Sequence, residues 1–217
     1  MISIIIPVYN EEKTIESIIS SVNQEFNDIP HEIIVINDGS NDKTHEICIS
    51  IKDIKYIKFD QNMGKGFALR EGFSAATGIY VAIQDADMEY KPKTLRKLFN
   101  SIEKDKVIYG MRDRKSGYYF NRIGNAFLSK FLNILYQSNL FDIYTCYKII
   151  PNDILKSLNL TSNRFEIEAE ITAKLLRKKI PIIELPIDYS PRKYHEGKHI
   201  RPIDGLIGIW TILKNRI

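Results

Sequence analysis

An α/β fold with a mostly parallel central sheet flanked by helices is predicted by three features of the chain. Short β-branched runs recur through its first half, each followed by an amphipathic stretch. The connections between runs and stretches are short, and polar clusters stand at the ends of several runs. Parallel strands buried on both faces read as near-continuous apolar runs, and each crossover between them carries a helix.

Taken in order, residues 2–8 form the first such run and end near Pro7 and Asn10. Residues 11–22 follow with Ile15, Ile18, Ile19 and Val22 at helical spacing and acids at the start, which suits the helix dipole. Residues 32–37 are a second strand halted by Asp38-Gly39-Ser40, then 41–51 a short helix, 55–59 a third strand and 64–76 a helix ended by Gly78. Residues 79–84 are a fourth strand leading into Asp85-Ala86-Asp87. Pro92 opens a helix to residue 103, and 106–111 are a fifth strand. The second half reads as helix 120–135, strand 144–150, helix 165–177, a strand over 180–187, a basic loop 192–201 and helix 203–213. Pro181 and Pro186 assign the 180–187 strand to a sheet edge. No repeat or linker divides the chain, so one domain is expected over 1–217.

Composition narrows the classes. The 217 residues are 44% apolar and 27% charged, which excludes a disordered chain. No run reaches the roughly 18 apolar residues of a spanning helix. A formal charge of +4 is too small to imply nucleic acid. Cys48 and Cys146 are too few for a disulfide framework and fit no zinc spacing; two reduced thiols in a cytoplasmic protein are expected. The N-terminus enters a strand directly and lacks the regions of a signal peptide.

In a doubly wound sheet the ligand crevice lies beyond the carboxyl ends of the strands. Asp85 and Asp87 follow the fourth strand there. Such a triplet reads either as a solvated turn or as a site where two carboxylates share a hard cation, Mn²⁺ or Mg²⁺, with substrate phosphates; Glu89 would add a third oxygen. Asp38 reads as a turn and helix cap or as an acceptor for a base or ribose. Tyr9 and Glu11 read as the end of a strand and start of a helix, or as a ring lying on a planar base and an acceptor for it.

Pro7-Val8-Tyr9-Asn10-Glu11, Asn37-Asp38-Gly39-Ser40, Asn62-x-Gly64-Lys65-Gly66 and Asp85-Ala86-Asp87 occur in this order. Together they resemble the family 2 glycosyltransferases of GT-A fold, the nucleotide-diphospho-sugar transferase fold, and most of all the dolichyl-phosphate mannose synthase group and related polyprenyl-phosphate sugar transferases. The likeness covers residues 2–111 and continues through Asp142-x-x-Thr145-Cys146-Tyr147-Lys148, where Cys146 replaces the usual glycine.

That resemblance implies that residues 1–111 hold the nucleotide sugar and residues 112–217 the acceptor. Pro7, Tyr9, Glu11 and Asp38 would hold the nucleotide, and Lys65 would approach the donor. Asp85, Ala86 and Asp87 would reach ribose, diphosphate and metal, with Asp85, Asp87 and Glu89 as metal ligands. Arg112 and Arg122 would bind an acceptor phosphate, a role their guanidinium forks suit; surface arginines in a basic stretch are the other reading. Arg192 and Lys198 lie in a segment similar to the family's R-x-Y-x-E-G-K loop and would contact the diphosphate from a mobile lid.

The implied reaction is inverting transfer of a hexose from a nucleoside diphosphate sugar, of GDP-mannose or UDP-glucose type, with Asp87, Arg112 and Arg122 closest to the chemistry. A phosphate acceptor is already anionic and needs no base, whereas a hydroxyl does. Without an E-D pair near residue 168, Glu168 and Glu170 are weak base candidates, which favours a polyprenyl-phosphate acceptor. The apolar stripe of Phe120, Ile123, Phe127, Phe131 and Leu135, with Leu206, Ile209, Trp210 and Leu213, is either core or a face resting in a membrane interface. No spanning helix precedes Ile217, so peripheral association, an anchoring partner or a longer native chain is expected. A hydroxyl acceptor on a glycan or glycolipid, a sugar-nucleotide-binding module without turnover, and a nucleotidyltransferase are the competing readings.

Overall fold

The computed structural model describes residues 1–113, 119–192 and 202–216. Its centre is a seven-stranded sheet built from β1 (Ile2–Val8), β2 (His31–Asp38), β3 (Lys55–Phe59), β4 (Tyr80–Ile83), β5 (Val107–Arg112), β6 (Lys148–Pro151) and β7 (Ile182–Ile187), in the order β3-β2-β1-β4-β6-β5-β7. β1 pairs in parallel with β2 and β4, β2 with β3, and β5 with β7, while β6 runs antiparallel between β4 and β5. β7 lies at the edge, which suits Pro186 within it and Pro181 just before it.

The helices are α1 (Ile15–Glu25), α2 (Thr44–Ser50), α3 (Lys65–Ala75), α4 (Pro92–Phe99), α5 (Tyr119–Tyr136), α6 (Asn152–Ser157), α7 (Ile167–Arg177) and α8 (Pro202–Lys214). Ile15, Ile18, Ile19 and Val22 of α1 are buried, so the period seen in the sequence is the face laid on the sheet. α3 comes close to the sheet because Gly72 has no side chain: a Cβ there would stand 2.4 Å from Ile5 Cγ2. The main core joins β1, β2 and β4 to α1, α3 and α4, and a second cluster joins Leu128 and Leu132 of α5 to Ala169 and Ala173 of α7 and Ile212 of α8.

Several elements depart from the expected pattern; α2 and α4 are shorter than expected, at Thr44–Ser50 and Pro92–Phe99. The first helix begins at Ile15 rather than residue 11, because residues 10–12 bond to the loop after β2. The sixth strand is only Lys148–Pro151; before it, Gly110 N donates to Tyr147 O and Cys146 N reaches Tyr90 Oη, so the chain is held without a regular ladder. α6 is a short helix that no clear period announced.

Asp142 ties the second half together. Its carboxylate accepts Arg112 Nε at 2.7 Å, Arg112 Nη2 at 2.8 Å, Arg112 N at 3.2 Å and Asn125 Nδ2 at 2.9 Å. The Phe141 and Asp142 amides donate to Glu184 of β7. One carboxylate thus fixes the end of β5 to α5, and its own backbone to the edge strand. Burial works against the Asp142 charge, but the Arg112 fork holds its pKa below the usual carboxylate range. A depressed pKa stabilises the fold above the unfolded value, and that contribution is lost as pH falls below about 3.8. Asp142→Asn should cost about 3 kcal/mol at neutral pH, since it strands a largely buried guanidinium. Urea midpoints should also fall less steeply with acid in the variant than in the wild type; parallel curves would show that the pair contributes nothing.

Candidate active site

The carboxyl ends of β1, β2 and β4 meet at one rim. There the loop after β1 is stitched to the loop after β2. Asn10 N donates to Ser40 Oγ (2.9 Å), Asn41 N to Asn10 Oδ1 (2.8 Å), Glu11 N to Thr44 Oγ1 (2.9 Å) and Lys43 N to Glu12 Oε2 (3.0 Å). Asn10 accepts a left-handed φ of 55°, which asparagine tolerates better than most residues. Pro7 is half-buried, and the Tyr9 ring stands 43% exposed at this rim.

Asp38, at the end of β2, is buried and accepts Met63 N at 2.7 Å and Gly64 N at 2.8 Å. Burial raises its pKa, and the two amides only partly offset that. Asp38 thereby anchors the turn that precedes α3. Gly64 holds that turn with φ 100°, and a Cβ would lie 2.4 Å from Asn163 O. The anchored turn delivers Lys65.

Lys65 Nζ stands 2.7 Å from Asp85 Oδ1 and 3.3 Å from Glu168 Oε1. Burial opposes its charge, yet Asp85 and, beyond it, Glu168 raise its pKa well above the usual lysine value. Glu168 Oε2 in turn accepts Lys148 Nζ, on a side chain with no exposure at all. The acidic turn is shaped from beneath by Gln84, whose Nε2 donates to Asp85 O and Tyr90 O at 3.0 Å while its Oε1 accepts Tyr147 Oη at 2.8 Å. Ala86 is buried in the turn. Asp87 Oδ1 accepts Glu89 N at 3.1 Å.

Glu89 faces the segment that follows β7. Its carboxylate accepts Tyr189 Oη at 3.0 Å and Arg192 N at 3.1 Å. Among the described residues no three His, Cys, Asp or Glu side chains are grouped to hold a metal ion. The donor set that remains, the Asp85 and Asp87 carboxylates on one turn, suits a hard divalent cation that completes its coordination with ligand oxygens.

Arg192 closes the rim from the far side. Its guanidinium forks onto Glu11 (2.9 and 2.6 Å) and its Nε donates to Asp87 O at 2.8 Å. Burial disfavours its charge, but the Glu11 hydrogen bonds raise its pKa. Glu11, expected to meet a nucleotide, is thus paired with Arg192. Lys198 lies outside the described residues.

The two arginines after β5 part company. The Arg112 fork is filled by Asp142, and its guanidinium lies 5.2 Å from the centre of the Tyr189 ring, so it is not the ready phosphate fork expected. Arg122 of α5 is half-buried, and its buried Nε has no partner among the described residues. It precedes Asn125 by one turn on the face that meets Asp142. Glu170 is spent on the amides of Thr161 and Ser162 and on Lys174. Burial, and then Asp85, push the pKa of the Cys146 thiol well up; both cysteines are free and buried.

Sequence reasoning missed Gln84, Asp142's clasp and Lys148. A lysine inside the buried run Tyr147-Lys148-Ile149-Ile150 was a legible signal, because such a charge must find a carboxylate.

Comparison with known proteins gives the family and the fold. The chain is 28% identical over 202 residues to the low-salt glycan biosynthesis hexosyltransferase of Haloferax volcanii, covering 88% of this chain and 48% of that protein. It is 25% identical over 214 residues to the dolichol-phosphate mannosyltransferase of Pyrococcus furiosus, covering 91% and 58%. The chain therefore spans about half the length of these curated relatives. Its fold matches glucosyl-3-phosphoglycerate synthase from Mycobacterium tuberculosis, solved with Mn²⁺, uridine diphosphate and phosphoglyceric acid, at a TM-score of 0.77 and 21% identity over 100% of this chain and 78% of that one. The sheet and its helices are thus the GT-A fold. The model of the family described as glycosyl transferase family 2 matches residues 3–158, and with that match over most of its length the chain belongs to glycosyl transferase family 2.

Proposed function

We propose that the protein transfers a hexose from a nucleoside diphosphate sugar to a polyprenyl-phosphate acceptor, with inversion at the anomeric carbon. The observation that carries the donor side is the convergence of Tyr9, Glu11, Lys65, Asp85 and Asp87 on one rim, with their loops knitted together. The exposed Tyr9 ring offers a face to a base, and Asp85 offers oxygens to ribose or diphosphate. Mn²⁺ or Mg²⁺ held by Asp87 with Asp85 would supply positive charge against the diphosphate oxygens as the glycosidic bond breaks. Lys65 adds a second cation beside them. The related fold solved with Mn²⁺ and uridine diphosphate supports this reading. Residues 1–111 hold the donor and residues 112–217 the acceptor within one catalytic domain.

On the acceptor side, a phosphate oxygen attacks the anomeric carbon, and the nucleoside diphosphate leaves with the bonding electron pair. No proton need be removed. This suits a site in which both Glu168 oxygens face lysines and Glu170 is committed to a loop. Arg122, whose Nε has no partner among the described residues, is the phosphate fork, and Arg112 holds its surroundings through Asp142. The dolichol-phosphate mannosyltransferase relative points to the same acceptor class.

A lipid acceptor also suits the outer face of α5 and α8. Leu128 and Leu132 are core, but Phe127 (56%), Leu206 (63%) and Trp210 (65%) are exposed, with Ile123 and Ile203 near them. Such a face fits peripheral membrane association or an anchoring partner. None of the described helices is long and apolar enough to cross a membrane.

A thermal-shift panel of nucleoside diphosphate sugars tests the donor. At 100 times Kd a ligand bound only by the folded state adds about 2.7 kcal/mol. One sugar nucleotide should raise the midpoint with Mn²⁺ far more than without it, and Asp85→Asn with Asp87→Asn should remove the metal-dependent part. A midpoint indifferent to every donor would refute the reading. Arg122→Ala should weaken transfer to a polyprenyl phosphate at least tenfold while sparing slow donor hydrolysis. Equal loss of both activities would exclude Arg122 from acceptor binding.

A further inference from the structure

Lys148 is the one charged side chain among the described residues with no exposure at all. It cannot touch a substrate, and no step of the proposed transfer uses it. Its ammonium donates to Glu168 Oε2 and Thr145 O, and lies 4.8 Å from the centre of the Tyr109 ring. Glu168 is fixed from its own side too: its carbonyl accepts Thr172 Oγ1 at 2.9 Å, and Thr172 Oγ1 meets Tyr109 Oη at 3.0 Å. The second Glu168 oxygen faces Lys65 at 3.3 Å, and Lys65 makes its closer contact, 2.7 Å, with Asp85. Charges therefore alternate in a line from the rim to the core: Asp85, Lys65, Glu168, Lys148.

Buried ion pairs are poor stabilisers, because desolvation consumes most of what their attraction returns. A line of four that ends beneath a ligand site has another consequence. Glu168 competes with Asp85 for Lys65, and the strength of that competition depends on how much of the Glu168 charge Lys148 already neutralises.

We infer that Lys148 is a positioning residue of the donor site, which acts through Glu168 to set how the Lys65 ammonium is divided between Glu168 and Asp85. The inference rests on the reading that Asp85 and Lys65 serve the donor. With Lys148 in place, Glu168 is nearly balanced and Lys65 stays with Asp85 at the rim, where it can meet a diphosphate. Without it, Glu168 carries an unbalanced charge, draws Lys65 inward and leaves the rim more negative. Such a rim binds a cation better and a diphosphate worse.

The opposite signs make the test. Binding of Mn²⁺ alone and of inorganic pyrophosphate is measured by calorimetry on the whole chain for the wild type, Lys148→Met, Glu168→Gln and the double variant. One unit charge at this range in a partly buried site changes affinity by about tenfold. Lys148→Met should bind Mn²⁺ severalfold more tightly and pyrophosphate about tenfold more weakly. Glu168→Gln should shift both the other way, and the double variant, neutral again, should return both constants to within about threefold of the wild type. Parallel weakening of both ligands, or constants that do not move, would overturn the positioning role and leave the donor site intact. A wild type that binds neither ligand would remove the donor site itself, and the inference with it. Should Lys148→Met fail to fold, the neutral double variant against Glu168→Gln still decides: no recovery between them overturns the role.

Discussion

Lys65 is the cation around which the rim is organised. It is half-buried, it holds Asp85 at 2.7 Å, and a second carboxylate stands behind it at 3.3 Å. In water such an attraction would be weak; in a site of low effective dielectric it is several times stronger, and its absence would leave two carboxylates unscreened. Asp38 fixes the turn that brings Lys65 there, and Gly64 allows that turn to pass Asn163. Asp38 and Asp85 end different strands, yet three residues of backbone join their contacts. The acids of separate sequence motifs are thus parts of one mechanical unit.

The surrounding contacts give this unit its shape and its means of change. Gln84 and Tyr147 set the acidic turn from below, while Arg192 spans it from Glu11 to Asp87. A ligand that needs Glu11 would have to exchange with the Arg192 fork. Asp142 performs the matching task in the second half of the chain. It occupies Arg112, while Arg122 Nε, one turn from Asn125, has no partner among the described residues.

Much of this was legible in the chain. The runs that became β1, β2 and β4 are buried on both faces and carry an apolar pattern that nothing else explains. Pro181 and Pro186 announced an edge. The motifs after these strands fall on the rim where the strand order placed them. The direction of β6 was not legible, because a four-residue apolar run carries no record of its pairing partner. Nor were the protein partners of Asp38, Glu89 and Arg112, which lie 25 to 103 positions away, because local pattern does not encode such distances. The α5 stripe was read as either core or an exposed face; Phe127 within it is exposed, while the neighbouring Leu128 and Leu132 are core.

The central claim is that a divalent cation and a diphosphate meet at the rim formed by β1, β2 and β4. Paramagnetic broadening of backbone amide signals by Mn²⁺, recorded in the presence of a nucleoside diphosphate, reads that position directly. The account predicts the strongest broadening at residues 85–89, clear effects at 9–12 and 64–66, and none along α1 beyond its first turn. Broadening centred on another surface, or spread evenly over the molecule, would contradict it.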